Sequence, residues 1–481
     1  MRESIKRIFP YLGLFLAALG LSMFFPMLLE MVDGGGHARA FGLPGAAGLA
    51  VGLALRRFFR ADEDLTQRDA WLLVTTTWLS AGVYGAIPYV WSGVIPSFPR
   101  AFFETVSGFT TTGATVIHDV GAIGRSIQLW RSITFWLGGL GIIVLFISML
   151  SFFGNSGTHL FRAETTGPIK DKIAPRIRET ARILWLTYIL ITGAMVLILI
   201  PVGMGPFEAV CYAFGVVSTS GFSAHNDSIV GLGPLIRFTL AFFTMIAGVR
   251  ISLFYSAIKE RSLKVLWKNE EFLTYLGLLF GAVLTTGFAA WAEGRSFSAS
   301  FFNSYVQLTS AITSTGFVSI DYATWPPIGQ FFMLTLPYIG ACAGSTGAGM
   351  KVGRLLILLK SLRSVFTHIL HPKAVVNIRI NNRVVPPETV ALTQVFFFTY
   401  ILVAVLSTAL FCLTGFSLSA AFSLVSACLN NVGPAFDHAG LLISYGQLPA
   451  WCMFYLPLLM LCGRLELYTI LVVFTGGFWR R

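Results

Sequence analysis

Two lengths of apolar segment recur along this chain. Ten segments approach or exceed the roughly 20 residues that a helix needs to cross a bilayer: 9–31, 42–58, 70–92, 127–153, 181–202, 233–257, 271–292, 328–360, 389–414 and 447–476. Four others, 98–109, 206–217, 298–312 and 417–429, stop after about 12 to 15 residues, a length that suits half-helices entering a membrane without spanning it. Each half-helix runs into a polar stretch ending in glycine: Thr110-Thr111-Thr112-Gly113, Ser218-Thr219-Ser220-Gly221, Thr313-Ser314-Thr315-Gly316 and Asn430-Asn431-Val432-Gly433. The pattern predicts a pair of spans (1–69) followed by four units of span, half-helix, glycine loop and span (70–158, 159–262, 263–375 and 376–481). The expected fold is an all-α membrane protein with pseudo-fourfold repeats.

The half-helices have a polarity. Each starts at helix breakers or caps: Pro96 and Pro99, Gly205-Pro206, Gly294 with Ser296 and Ser298, and Gly415 with Ser417. Their C-termini therefore face the glycine loops, and the partial negative charge of a helix C-terminus favours a cation there. Irregular backbone at membrane depth must be buried in protein or line a wet cavity. Four such loops around one axis can replace the water of an ion with carbonyl oxygens. Glycine permits the left-handed backbone this needs, and the preceding Ser, Thr and Asn can bond the neighbouring backbone. Six residues before each glycine stand Ser107, Gly215, Ser310 and Ala427, small enough for close helix approach.

Composition agrees with a membrane protein. Of 481 residues, 55% are apolar and 12% charged, against about 25% charged in a soluble domain. The net charge of +12 raises the question of nucleic acid, but 26 of the 34 Lys and Arg fall in six clusters: 1–7, 56–68, 162–182, 259–268, 351–383 and 480–481. Basic clusters between spans mark the cytoplasmic side. The charge thus sets topology, with both termini cytoplasmic and the glycine loops entering from outside. The first apolar stretch ends in Glu30-Met31-Val32-Asp33, with no small-residue cleavage site, and reads as a first span. The six cysteines show no metal-binding spacing, and most of the seven histidines read as loop residues. An enzyme would need a convergent His/Asp/Cys site that the spans lack.

Three further features bear on transport. Asp119, Asp227, Asp321 and Asp437 follow the glycines by a few residues, either as an acidic collar that concentrates cations at the mouth or as four solvated loop residues. Arg464 lies inside the last apolar segment, where a charge is costly and marks function. It either faces the pore beneath the glycine loops or pairs with Glu466 or another carboxylate. The segment 328–360 is too long for one span and contains Gly340, Gly344, Gly347 and Gly349 before Lys351. This stretch is expected to break the helix and form a flexible gate with Lys351 at its cytoplasmic end, the rival being tight packing of small residues.

The four glycine loops, the glycine-rich break and the inner-loop residues Phe161-Arg162-Ala163-Glu164, Gly167-Pro168 and Lys170-Asp171-Lys172 together resemble the Trk/Ktr/HKT superfamily of potassium transporters over essentially the full chain. The two extra N-terminal spans resemble its TrkH/TrkG-type branch. The resemblance implies potassium uptake by a homodimer in the bacterial inner membrane, embedded in lipid, with no nucleic acid as partner. It also implies a cytosolic ring of TrkA-like nucleotide-binding subunits acting on the gate. By the same resemblance, potassium would be held around Thr111, Thr112, Gly113, Ser220, Gly221, Thr315, Gly316, Val432 and Gly433. Asn431-Val432 departs from the Ser/Thr pattern of the other loops and puts strict potassium selectivity in doubt. A proton- or sodium-coupled carrier is the alternative. It would use intramembrane carboxylates, and the candidates are Glu104 and Glu208, expected toward the outer ends of their half-helices.

Overall fold

The structure, a computed structural model, describes residues 2–59, 65–141, 177–321, 324–374, 376–436 and 443–479. It is almost entirely helical. α1 (Arg2–Ser22) runs on through Met23 into α2 (Phe24–Val32), and together they make one apolar span, Lys6–Val32. α3 (Ala38–Phe58) returns against α1 with glycines on both sides of the seam. A Cβ on Gly13 would meet the Gly52 carbonyl at 2.6 Å, and one on Gly20 the Gly45 carbonyl at 2.6 Å. Small residues of this kind let helices close up where lipid provides no hydrophobic drive.

α4 (Gln67–Gly85) opens with a capping box, Thr66 and Asp69 each accepting the other's backbone N–H, and continues as α5 (Ile87–Trp91). Then come the half-helix α6 (Phe98–Phe109), the first glycine loop and α7 (Arg125–Gly139). The second unit holds α8 (Ile177–Leu199), half-helix α9 (Pro206–Ser218), α10 (Pro234–Ala247) and α11 (Ile251–Lys259). After the short α12 (Lys264–Trp267) follow α13 (Glu270–Ala292), half-helix α14 (Phe297–Ile312), α15 (Pro327–Ile339) and α16 (Val352–Leu370). A two-stranded hairpin, β1 (Arg379–Ile380) and β2 (Arg383–Val384), turns through Asn381 and Asn382, both at positive φ. α17 (Pro387–Leu413), half-helix α18 (Leu418–Leu429), α19 (Cys452–Arg464), α20 (Tyr468–Leu471) and α21 (Gly476–Trp479) complete the chain.

The four half-helices occupy the expected segments to within a residue or two. Eight of the ten long segments recur among the described residues, six as single helices long and apolar enough to span and two as bent pairs. Segment 233–257 is not straight: α10 and α11 meet at 87° across Gly248-Val249-Arg250. Segment 447–476 bends by 117° after α19, where Glu466 and Leu467 take positive φ. Arg464 consequently sits at a helix end, not in mid-span. Segment 328–360 is broken, as expected, over residues 340–351. Of 127–153, only the portion to Gly141 lies among the described residues, and so do none of the inner-loop residues 161–172.

Candidate functional site

Each half-helix ends in the same way. The residue two before the glycine adopts left-handed backbone (Thr111 φ 56°, Thr219 φ 56°, Ser314 φ 57°, Asn431 φ 50°), and the glycine does so again (φ 82°, 68°, 81° and 96°). The intervening N–H turns back onto the half-helix: Thr112 to Ser107 O (2.9 Å), Ser220 to Gly215 O (2.9 Å), Thr315 to Ser310 O (2.8 Å) and Val432 to Ala427 O (2.8 Å). This is a Schellman closure with a polar residue where glycine is usual. It gives the small residues six before each glycine a second task, as carbonyl acceptors. In the first and third loops they also donate, Ser107 Oγ to Ala114 O (2.6 Å) and Ser310 Oγ to Phe317 O (3.2 Å).

The loops close into a ring. A side chain on Gly113 would overlap the carbonyl of Ser220, one on Gly221 that of Thr315, and one on Gly316 that of Val432. One on Gly433 would lie 2.5 Å from the Thr112 carbonyl and close the circuit. Each glycine is thus pressed against the carbonyl preceding the next glycine, in the order first, second, third, fourth, first. Thr112, Ser220 and Thr315 are fully buried and Val432 nearly so. All four glycines line one cavity of about 300 Å³ on the side from which the half-helices enter.

The segments leaving the ring are tied to the half-helices by side chains of which the sequence singled out Glu104 alone, and in another role. Glu104, fully buried in the middle of α6, accepts from the Val116 amide (2.9 Å), Thr115 Oγ1 (3.0 Å) and Arg131 Nε (3.0 Å). Arg131 also lies over the Phe222 ring. Glu104 is therefore no outer-end carboxylate but half of a buried ion pair. Gln307 does the same for the third loop, accepting from the Ser319 amide (2.9 Å) and donating to Phe317 O (2.9 Å). In the second, Tyr212 Oη meets Ser223 Oγ at 2.7 Å. All three stand nine residues before their glycine, so superposing the four polar runs would have found them. Glu208, in contrast, is partly exposed and faces His225 (3.4 Å). Removing one partner of a buried pair leaves a stranded charge, which costs about 3–5 kcal/mol. Glu104→Gln should accordingly lower the thermal midpoint of the purified protein, whereas Glu208→Gln should leave it near wild type, as a melting curve in detergent can check.

The aspartates are placed less uniformly. Asp119 accepts from the amides of Gly121 (3.0 Å) and Ala122 (3.2 Å) and from Asn226 Nδ2 (2.8 Å), linking the first two loops. The Asn226 bond, aided by those amides, draws its carboxyl below the usual range. Asp227 accepts from the Gly231 amide (3.0 Å), and Asp321 is exposed in the third loop. Asp437 lies outside the described residues.

On the opposite side of the ring, residues 340–351 form a compact loop with Gly340, Gly344, Gly349 and Lys351 at positive φ. Gly347 lies directly under the ring, where a Cβ would meet Thr313 O at 2.8 Å. Thr346 Oγ1 donates to Val217 O (3.0 Å), and the buried Lys351 folds its Nζ back onto Gly347 O. Glu271, at the start of α13, accepts from the amides of Ala343 (2.6 Å) and Gly353 (3.1 Å) and from Arg250 (3.1 Å), so one carboxylate holds both ends of the loop. Arg464 crosses from α19, donating to Thr346 O (2.8 Å) and to Gly138 O (2.7 Å) and Gly139 O (2.6 Å) at the end of α7. Glu466 pairs with Arg354 at 2.5 Å. Loop, Lys351, Arg464 and Glu466 line a small cavity of about 90 Å³.

A ring of buried carbonyls among apolar spanning helices, reached by a cavity on one side and covered by a loop on the other, is the architecture of a helical membrane transport protein. Residues 45–291 and 292–481 match the model of the TrkH cation transport protein family. The chain is 36% identical to the Trk system potassium uptake protein TrkH of Escherichia coli K12 over 485 residues, covering 99% of each. It is 33% identical to the Trk system potassium uptake protein TrkG of the same organism over 420 residues, 86% of each chain. The crystal structure of the potassium transporter TrkH from Vibrio parahaemolyticus superposes with a TM-score of 0.89 at 31% identity, over 99% of this chain and 100% of that one. The chain belongs to the TrkH family of cation transport proteins.

Proposed function

We propose that this protein takes up potassium across a bacterial inner membrane through the glycine ring. The observation that carries the reading is the closed circuit of glycines against neighbouring carbonyls, since a ring of backbone oxygens is what replaces the hydration shell of potassium. The ligands would be the oxygens around Thr111, Thr112, Gly113, Ser220, Gly221, Thr315, Gly316, Val432 and Gly433. The relatives named as Trk potassium uptake proteins support the choice of ion. The loop 340–351, with Lys351 and Arg464, acts as the gate, and a cytosolic TrkA-like nucleotide-binding subunit sets it. The protein works as a homodimer in lipid, with both termini cytoplasmic. Coupling to protons or sodium is the weaker reading, because Glu104 is committed to Arg131 and the amides around it.

Purified protein in liposomes, loaded to drive potassium or rubidium uptake with and without a proton gradient, tests the reading. Uptake that needs the potassium gradient alone supports it; no uptake above protein-free vesicles sinks it, and strict dependence on the proton gradient favours the carrier. The four aspartates supply a second test. Asp119, Asp227, Asp321 and Asp437 changed together to Asn should reduce flux strongly at low external potassium and little at saturation, because fixed charge raises local cation concentration. Equal loss at both concentrations would remove the collar from the account.

A further inference from the structure

The ring is braced unequally. In the first three loops the residue nine before the glycine (Glu104, Tyr212, Gln307) supplies the tie between half-helix and departing strand. In the fourth that position is Leu424, fully buried and unable to bond. Ser423 takes over part of the work by accepting the Phe436 amide (2.7 Å). The rest comes from outside the half-helix: Tyr445 Oη donates to the carbonyl of Gly433 itself, at 2.6 Å. Tyr445 is 4% exposed and its ring packs 5.3 Å from that of Phe103, so the hydroxyl is held in place by the first unit. Among the described residues, no donor reaches the carbonyl of Gly113, Gly221 or Gly316. Among the described residues, the fourth glycine carbonyl alone is shared with a protein hydroxyl.

We propose that Tyr445 is a selectivity-determining residue of the ring, acting by withholding part of the Gly433 carbonyl from the ion and fixing its position. The inference rests on the potassium reading above. A carbonyl has two lone pairs, and one given to a hydroxyl weakens the field the oxygen presents to a cation. Discrimination between potassium and sodium depends on cavity size and on the field strength of the carbonyls. Loss of the hydroxyl alters both in one direction. The freed oxygen presents a stronger field, and the unbraced strand lets the ring close on a smaller ion.

The test compares full-length wild type with Tyr445→Phe, which keeps the ring packing and removes only the donor. Potassium-to-sodium permeability ratios are measured from reversal potentials in liposomes, alongside rubidium uptake in competition with sodium. The ratio is expected to fall about three- to ten-fold, the factor one neutral hydrogen bond is worth, while potassium flux persists. Adding Leu424→Gln, which restores a brace from the half-helix as Gln307 does in the third loop, should recover part of the ratio. Phe103→Leu, which loosens the packing but leaves the hydroxyl, should change the ratio less than Tyr445→Phe. An unchanged ratio in a conducting Tyr445→Phe protein overturns the inference, as does an equal fall in Phe103→Leu. A Tyr445→Phe protein that cannot fold overturns it too, because the hydroxyl would then serve folding. Wild-type vesicles without potassium flux would instead defeat the underlying reading.

Discussion

Gly316→Ala is expected to abolish potassium transport while leaving a folded, membrane-inserted protein. Gly316 has φ 81°, and a Cβ there would overlap the Val432 carbonyl and touch Pro434 Cδ at 2.8 Å. Two penalties combine. The left-handed conformation costs a residue with a Cβ about 1–2 kcal/mol, and the overlap can be relieved only by moving the Val432 carbonyl. That carbonyl belongs to the fourth loop, so a methyl group in the third loop displaces a proposed ligand in its neighbour. Oxygens that replace a hydration shell must hold their positions closely, so the ring should lose its ion altogether. Gly281→Ala is the matched control. It lies on the exposed face of α13 with nothing within 4 Å of a new Cβ, and alanine there gains about 0.5–1 kcal/mol of helix stability. Flux lost in Gly316→Ala and unchanged in Gly281→Ala, at equal yield, is the expected result in reconstituted vesicles. Substantial flux through Gly316→Ala would show that the ring is not the ion path.

The half-helices and glycine loops were legible because each is set by local rules: an apolar length too short to span, a breaker at one end and a glycine at the other. The bends in α10–α11 and α19–α20 were not. Both segments are apolar on average although each carries charges near its bend, Arg250 in the first and Arg464 and Glu466 in the second, and mean hydropathy does not distinguish a straight span from one broken by tertiary contacts. At the first bend, a Cβ on Gly248 would meet Tyr275 Oη and Thr313 Cγ2. At the second, one on Gly463 would meet Asn431 Oδ1 at 2.6 Å. The helix ends there because it has reached the underside of the ring, which no local window reports. The pairing of Glu104 with Arg131, 27 positions apart, was hidden for a similar reason. Glu104 alone reads as a carboxylate toward the outer end of its half-helix, and only the fold puts it and Arg131 together in the dark beside the ring. Tyr445 was hidden further still, because the strut it replaces is missing at Leu424 and an absence has no motif.

Arg464→Ala should raise transport, giving flux that no longer depends on any regulator. The guanidinium spans the cavity below the ring, with one amino group on Thr346 of the loop and the other on Gly138 and Gly139 of α7. It therefore places a positive charge near the proposed exit and anchors the loop to the first unit. Hydrogen bonds from a charged donor contribute about 1.5–3 kcal/mol each, and every 1.4 kcal/mol is tenfold in an equilibrium. Losing the loop-side bond alone should shift the loop from covering to open by about ten-fold or more. Arg464→Lys separates the two roles. Lysine keeps the charge but presents a compact ammonium that cannot fork across two sites as a planar guanidinium does. If the charge restrains the ion, Arg464→Lys behaves as wild type; if the bridge restrains the loop, it leaks as Arg464→Ala does. The bridging geometry favours the second outcome, and flux per reconstituted protein in the absence of any partner subunit decides it. Lower yield with unchanged flux in both variants would assign Arg464 to the assembly of α7, α19 and the loop, and the gate would then rest on Glu271 and Lys351.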